Sequence, residues 1–178
     1  MIFNMHFWQT ELRRTAARLR RHGTQRRWVA ASDPSVEKAV MLGFYAIRKM
    51  LQAFNPPSVL EEPPTIHVIA FPRNCFRVPP SEIFWPEVAE AFDLAKPRAE
   101  TLNLEDACNQ IIHSHYFSLW LAPNRTLRGI FVCSDKLRED RIFRLDLEKI
   151  ISLFDTIAES SREIAPMKFA PEANRVTM

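Results

Sequence analysis

Residues 116–145 read YFSLWLAPNRTLRGIFVCSDKLREDRIFRL, and the spacing of their apolar positions sets the fold class. Three short runs, at 116–121, 128–134 and 141–145, alternate with a period of two, as half-buried strands do. Between them stand turn formers, Pro123-Asn124 and the charged stretch from Asp135 to Asp140. Connections this short join spatial neighbours, so an antiparallel three-strand meander is expected. On both sides the period becomes helical. Upstream, Asn103 precedes Leu104, Ala107, Cys108 and Ile111, followed by either Ile112 or His115, and Glu105 and Asp106 occupy the dipole-favoured first turn. That pattern predicts a helix over 104–115 capped by Asn103. Downstream, Asp146 precedes the stripe Leu147, Ile150, Ile151, Phe154, Ile157 and Ala158, which predicts a closing helix capped by Asp146.

Further towards the N-terminus the periods remain helical. Trp8, Leu12, Thr15, Ala16 and Leu19 recur at spacings of three and four, predicting a helix over 5–22 that stops at Gly23. Ser32-Asp33-Pro34 reads as a cap followed by a first-turn proline, opening a helix with the stripe Val36, Val40, Phe44, Ile47, Leu51 and Phe54. Asn55-Pro56-Pro57 ends it. Residues 65–71, TIHVIAF, are β-branched and bounded by prolines, which predicts a strand. Residues 72–80 read as a loop. A short helix reaching Leu94 is expected next, capped by Ser81 or Trp85, with Val88, Ala89 and Phe92 facing inward. The fold class is therefore α+β: a helix-dominated single domain over 1–160, with the three-strand meander between its last two helices. Residues 161–178 lose all periodicity and read as a flexible tail or an arm that orders against a partner.

Composition narrows the function classes. The chain has 178 residues, 47% hydrophobic and 25% charged, enough for one domain with a real core. Gly is only 3 and Pro is 13, so Gly-rich phosphate loops have no place here, and neither the dinucleotide nor the P-loop glycine pattern occurs. No cofactor is expected. Cys75, Cys108 and Cys133 are odd in number and widely spaced, which reads as buried thiols in a reducing compartment. No secretory pattern opens the chain and no apolar run is long enough to span a membrane, so a cytoplasmic location without membrane contact is expected.

The chemistry-bearing residues fall into two groups. The first lies on the helix after Asn103, where Asp106, Asn109 and His113 share one stripe at i, i+3 and i+7. An imidazole beside a carboxylate and an amide can move protons near neutral pH, so these three are the candidate catalytic residues. The hexapeptide Cys108-Asn109-Gln110-Ile111-Ile112-His113 resembles the motif helix of the HEPN superfamily, whose helical members are often RNA-cutting or RNA-binding modules. The family pattern is Arg, a polar residue, about three further residues, then His. Asn109 and His113 fit it, whereas Cys108 stands at the arginine position, so the resemblance is to a degenerate form. In an active member the arginine would stabilise charge on the scissile phosphate and the histidine would move protons. Here Arg73 or an arginine of the first helix would have to stand in.

The same segment offers other arrangements. His113-Ser114-His115 could bind a metal if extended, with His67, Cys133 or Asp135 as a third ligand, but no spacing compels this and no metal site is assigned. Ser134-Asp135 lacks a nucleophile elbow and reads as the start of a turn. Cys108 and His113, five apart on a helix, face different directions.

The second group is basic. Residues 1–32 hold seven arginines against Glu11, a net +6, while the other residues carry 17 basic and 20 acidic side chains, a net −3. Arg13, Arg14, Arg18, Arg20 and Arg21, extended by Arg26, Arg27 and the aromatic Trp28, are the candidate nucleic-acid-binding residues, since such a face neutralises several phosphates and indole stacks on bases. A solvated helix face or a surface for an acidic protein would carry the same charges. Aromatics outside any readable core (Phe3, Phe7, Phe76, Phe84, Trp85 and Phe169) add a homodimer or protein-interaction subunit to the expected partners. The functional expectation is a non-catalytic binding module that contacts RNA or DNA through its arginine-rich first helix. A metal-independent ribonuclease using His113 is the alternative.

Overall fold

The computed structural model describes residues 5–53, 56–74 and 87–160. In chain order the elements are α1 (Met5–Thr24), α2 (Ser32–Leu51), a single 3-10 turn (Ser58–Leu60), β1 (Ile66–Pro72), α3 (Val88–Ala91), β2 (Arg98–Leu102), α4 (Leu104–Ile112), β3 (Ser114–Leu121), β4 (Leu127–Ser134), β5 (Arg141–Asp146) and α5 (Leu147–Glu159). The class is α+β, as the periodicities predict.

The sheet has five strands in the order β2-β1-β5-β4-β3, not the three of an isolated meander. The β3–β4–β5 hairpins are there, and β5 then pairs antiparallel with β1, placing Ile69 opposite Arg144 and Phe71 opposite Ile142. Strand β1 thus lies inside the sheet, and both of its faces are covered, Val68 and Ala70 by the main core and Phe71 by a smaller one. Its other neighbour is β2, paired from Ile66–Leu102 to Ala70–Arg98. β2 reads RAETL and no residue in it is buried, so no apolar alternation announced it. As an edge strand it needs none, and its charges suit an exposed sheet edge. Glu100 fixes it sideways by accepting from Arg141 Nη1 at 2.7 Å.

All long helices lie on one face of the sheet. Leu12, Ala16 and Leu19 of α1, Val36, Val40, Phe44 and Ile47 of α2, Leu104 and Ile111 of α4, and Ile150, Phe154 and Ile157 of α5 bury there with Val68, Ile130, Val132 and Phe143 of the sheet. α1 packs between α2 and α5, and α2 also contacts α4. Gly43 of α2 leaves room for the Phe154 ring of α5, which a Cβ there would overlap. The opposite face carries a second, smaller core of Phe71, Phe92, Tyr116, Phe131, Cys133 and Ile142, with Arg144 lying over the Trp120 ring at 4.2 Å.

Local differences from the sequence reading have local causes. α1 runs one residue past Gly23. α2 is preceded by Ala31 rather than capped by Ser32, because the Ser32 Oγ already accepts from Val29 N at 3.1 Å and Gln25 Nε2 at 3.0 Å. Pro34 still falls in the first turn, where its missing N–H costs nothing. α3 is one turn long and is capped by Glu87 with Glu90 in a reciprocal capping box; Ala91 and Phe92 point inward while Ala89 is exposed. α4 stops at Ile112, three residues short of the expected end, because β3 begins at Ser114. Asn103 caps it as expected, accepting from Asp106 N at 2.7 Å. Asp146 occupies the α5 cap position but makes no cap bond; its carboxylate faces Lys149 at 3.3 Å. Phe54, Cys75, Ser81, Trp85 and residues 161–178 lie outside the described residues.

Candidate nucleic-acid interface

Helical geometry divides the arginines of α1 between two sides. Arg13 and Arg20, seven residues apart, face α5. There Arg13 Nη2 donates to the carbonyl of Ala158 in the last turn of α5, and Arg20 pairs with Asp155. Gln9 Nε2 adds a bond to the Ser160 carbonyl at 2.7 Å. This side is a seam: cations meet the carbonyl end of a helix, where positive charge is favoured.

Arg14, Arg18 and Arg21 fall at i, i+4 and i+7 on another side, all exposed, and Arg26 and Arg27 continue the exposed charge past the end of the helix. Among the described residues the one carboxylate paired with any of these five is Glu11, at 3.8 Å from Arg14.

Trp28 has a structural role at the edge of this face. Its Nε1–H donates to the Arg125 carbonyl at 2.7 Å, its ring lies parallel to His22 at a centroid distance of 6.3 Å, and it packs half-buried against the main core. The bond ties the loop after α1 to the tip of the β3–β4 hairpin, where Arg125 takes a left-handed backbone conformation (φ 64°). The bond thereby brings the exposed Arg125 beside the Arg26-Arg27-Trp28 loop, while the exposed Arg128 lines a cleft with Arg20. Sequence reasoning missed both, since 97 residues separate Trp28 from Arg125 and neither arginine sits in a charge run. Between the end of α1, the hairpin and the first turn of α5 lies a cleft of about 720 Å³. Arg20, Arg128 and Lys149 line it together with Asp146 and Glu148.

The α4 residues are arranged differently. Asp106 is engaged at the helix start, its Oδ2 accepting from Asn103 Nδ2 at 2.7 Å. Asn109 Oδ1 accepts from Arg48 Nη1, a cation supplied by α2. His113 sits at the C-cap, exposed, its backbone N–H bonded to the Asn109 carbonyl at 3.2 Å. The structure therefore keeps Asn109 and His113 one turn apart and sets Arg48 beside the first. Nothing in the sequence flagged Arg48, which precedes Asn109 by 61 positions. Arg73 is elsewhere: its guanidinium lies over Phe92 at 5.1 Å on the opposite side of the sheet from the long helices.

The remaining candidates are held in structural contacts. Burial pushes the Cys108 thiol up to about 12, and it donates to the Phe44 carbonyl at 3.4 Å, so it is no nucleophile near neutral pH. Burial raises Cys133 to about 12 as well. His115 Nδ1 lies 3.5 Å from Asp135, while desolvation first and the nearby Arg138 second hold its pKa below the ordinary histidine value. His67 shares a hydrogen bond with Thr101 at 3.2 Å, on the strands farthest from β3. Ser134 is buried, its backbone N–H donating to Gln110 Oε1 at 2.9 Å. Among the described residues no three His, Cys, Asp or Glu side chains come together as a metal would require, and no helix is long and apolar enough to cross a membrane.

No protein-family model matches the chain, and no curated protein or solved structure does either.

Proposed function

We propose that this protein is a non-catalytic binding module that holds the phosphate backbone of a single-stranded nucleic acid on the outer side of α1. The observation that carries this reading is the exposed stripe Arg14, Arg18 and Arg21, continued by Arg26 and Arg27, with Glu11 the one carboxylate paired to it among the described residues. Guanidinium forks suit phosphate oxygens, and Arg125 lengthens the track beyond the helix. Fluorescence anisotropy of a labelled single-stranded RNA tests it. Five phosphate contacts give a log Kd against log salt slope of about 3.5 in magnitude. Absence of binding at low salt defeats the proposal and leaves the face to an acidic protein.

A second reading rests on one separate observation, Arg48 beside Asn109. A cation there would neutralise a scissile RNA phosphate while His113 takes the 2′-hydroxyl proton, the 2′-oxygen bonds to phosphorus, the bond from phosphorus to the 5′-oxygen breaks and water protonates that oxygen. In this reading the chain is a HEPN-like ribonuclease whose arginine has moved to another helix. It predicts RNA cleavage that persists in EDTA and is lost in both Arg48→Ala and His113→Ala. Cleavage surviving in the His113 variant rules it out.

A further inference from the structure

The outer side of α2 carries an apolar surface that the rest of the described chain leaves uncovered. Tyr45 is 40% exposed, and Met41 and Leu42 are half-buried. The Tyr45 ring meets the edge of Trp8 at 5.9 Å, which extends the surface onto α1. A groove of about 420 Å³ runs along it, lined by Pro34, Glu37, Lys38, Met41, Leu42 and Tyr45 of α2 and by Ile112 of α4. Six of these positions form two neighbouring rows of i, i+4 residues. One row is Pro34, Lys38 and Leu42; the other is Glu37, Met41 and Tyr45, and it continues to Lys49. A groove between two such rows is the shape that accepts the same kind of row from another helix.

The charges say which helix. α2 is acidic in its first turns, at Asp33 and Glu37, and basic in its last, at Arg48 and Lys49. Arg48 is turned to Asn109, whereas Lys49 lies over the Tyr45 ring at 5.2 Å, on the row that flanks the groove. A helix with this polarity is complementary to an antiparallel copy of itself, and a two-fold axis makes every contact twice. Centred at Gly43, such a pairing sets Met41 against Tyr45 of the second copy and Glu37 against Lys49 of the second copy. Lys38 is the one cation on the acidic half of the groove. In this register it falls level with Arg48 of the second copy, whose guanidinium is turned away to Asn109. We infer that the chain forms a homodimer through the outer side of α2, paired antiparallel by Met41–Tyr45 and Glu37–Lys49 contacts.

Light scattering after size exclusion of the full chain tests this at about 100 µM protein, far above a micromolar Kd. The expected mass is twice the 20.7 kDa of one chain. Tyr45→Glu, Glu37→Lys and Lys49→Glu are each expected to raise the dimer Kd at least about tenfold, with unchanged circular dichroism. The double variant Glu37→Lys/Lys49→Glu, which restores opposite charges across the axis, is expected to recover the dimer. The chain has 2 tyrosines, and Tyr116 is only 6% exposed, so nitration reads Tyr45 directly, and dimer formation should protect it. A monomeric wild type overturns the proposal. If that monomer still protects Tyr45, another segment of the same chain covers the groove. A dimer insensitive to all three single changes, or one that the double reversal fails to restore, also overturns it.

Discussion

The two sides of α1 carry the same residue type to different ends. All five are exposed, but Arg13 and Arg20 bond to α5, one to the Ala158 carbonyl and one to Asp155, whereas Arg14, Arg18 and Arg21 lie on the side away from it. Composition counts all five alike, and a helical wheel separates them only once the position of α5 is known. A cation bound to a helix end is already satisfied within the fold. An exposed row of cations with one paired carboxylate among the described residues is available to an anionic partner.

The largest effect that could break this contrast is on affinity. Arg14→Ala/Arg18→Ala/Arg21→Ala is expected to weaken single-stranded RNA binding by at least about 30-fold and to flatten the salt dependence, with an unchanged melting temperature. A triple variant that binds as tightly as the parent places the interface elsewhere.

The opposite pattern is expected across the seam. Arg13→Ala should lower the unfolding free energy by about 1 kcal/mol, since it removes a charged donor from the end of α5, and leave RNA affinity within about twofold. Denaturant titration beside anisotropy separates the two. A large affinity loss without a stability loss would put Arg13 on the binding side.

Trp28 sharpens the same distinction. Trp28→Phe keeps an aromatic ring but loses the 2.7 Å bond to the Arg125 carbonyl. A strut predicts a loss of about 1 kcal/mol in stability. A base-stacking residue predicts little change in stability, and an affinity loss on full removal in Trp28→Ala of about 1–3 kcal/mol.

The smallest effect concerns His115. Its folded pKa is lowered, chiefly by burial, so the unfolded chain takes up its proton first as pH falls. Stability from the neutral form is therefore complete above the ordinary value of 6.5 and declines as pH drops below it. Comparing unfolding curves of the parent and His115→Gln on either side of that pH should isolate the slope. An equal slope in the variant would assign it to another group.

Legibility differed with the kind of constraint. The stripes of α1, α2, α4 and α5 were readable because a helix buries one side against whatever it meets, and that side repeats locally. The Asn103 cap was readable for the same reason, its partner being three residues away. β2 was not, because an edge strand of RAETL buries nothing. Asp106 and Asn109 fall on α4, whereas His113, expected on the same stripe, stands just past the end of the helix. What each does depends on neighbours brought in by α2 and by the helix boundary: Arg48 for Asn109, the cap for Asp106 and an early C-terminus for His113.

The sequence by itself determined the α+β class, the helix faces, the β3–β4–β5 hairpins and the concentration of arginine in the first helix, since all of these follow from short-range period and composition. Long-range packing sets β1 beside β5, gives two arginines of α1 partners on α5 while three face away from it, and places Arg125 and Arg48 where they stand. Those outcomes turn on contacts between residues tens of positions apart, whose geometry no local pattern encodes.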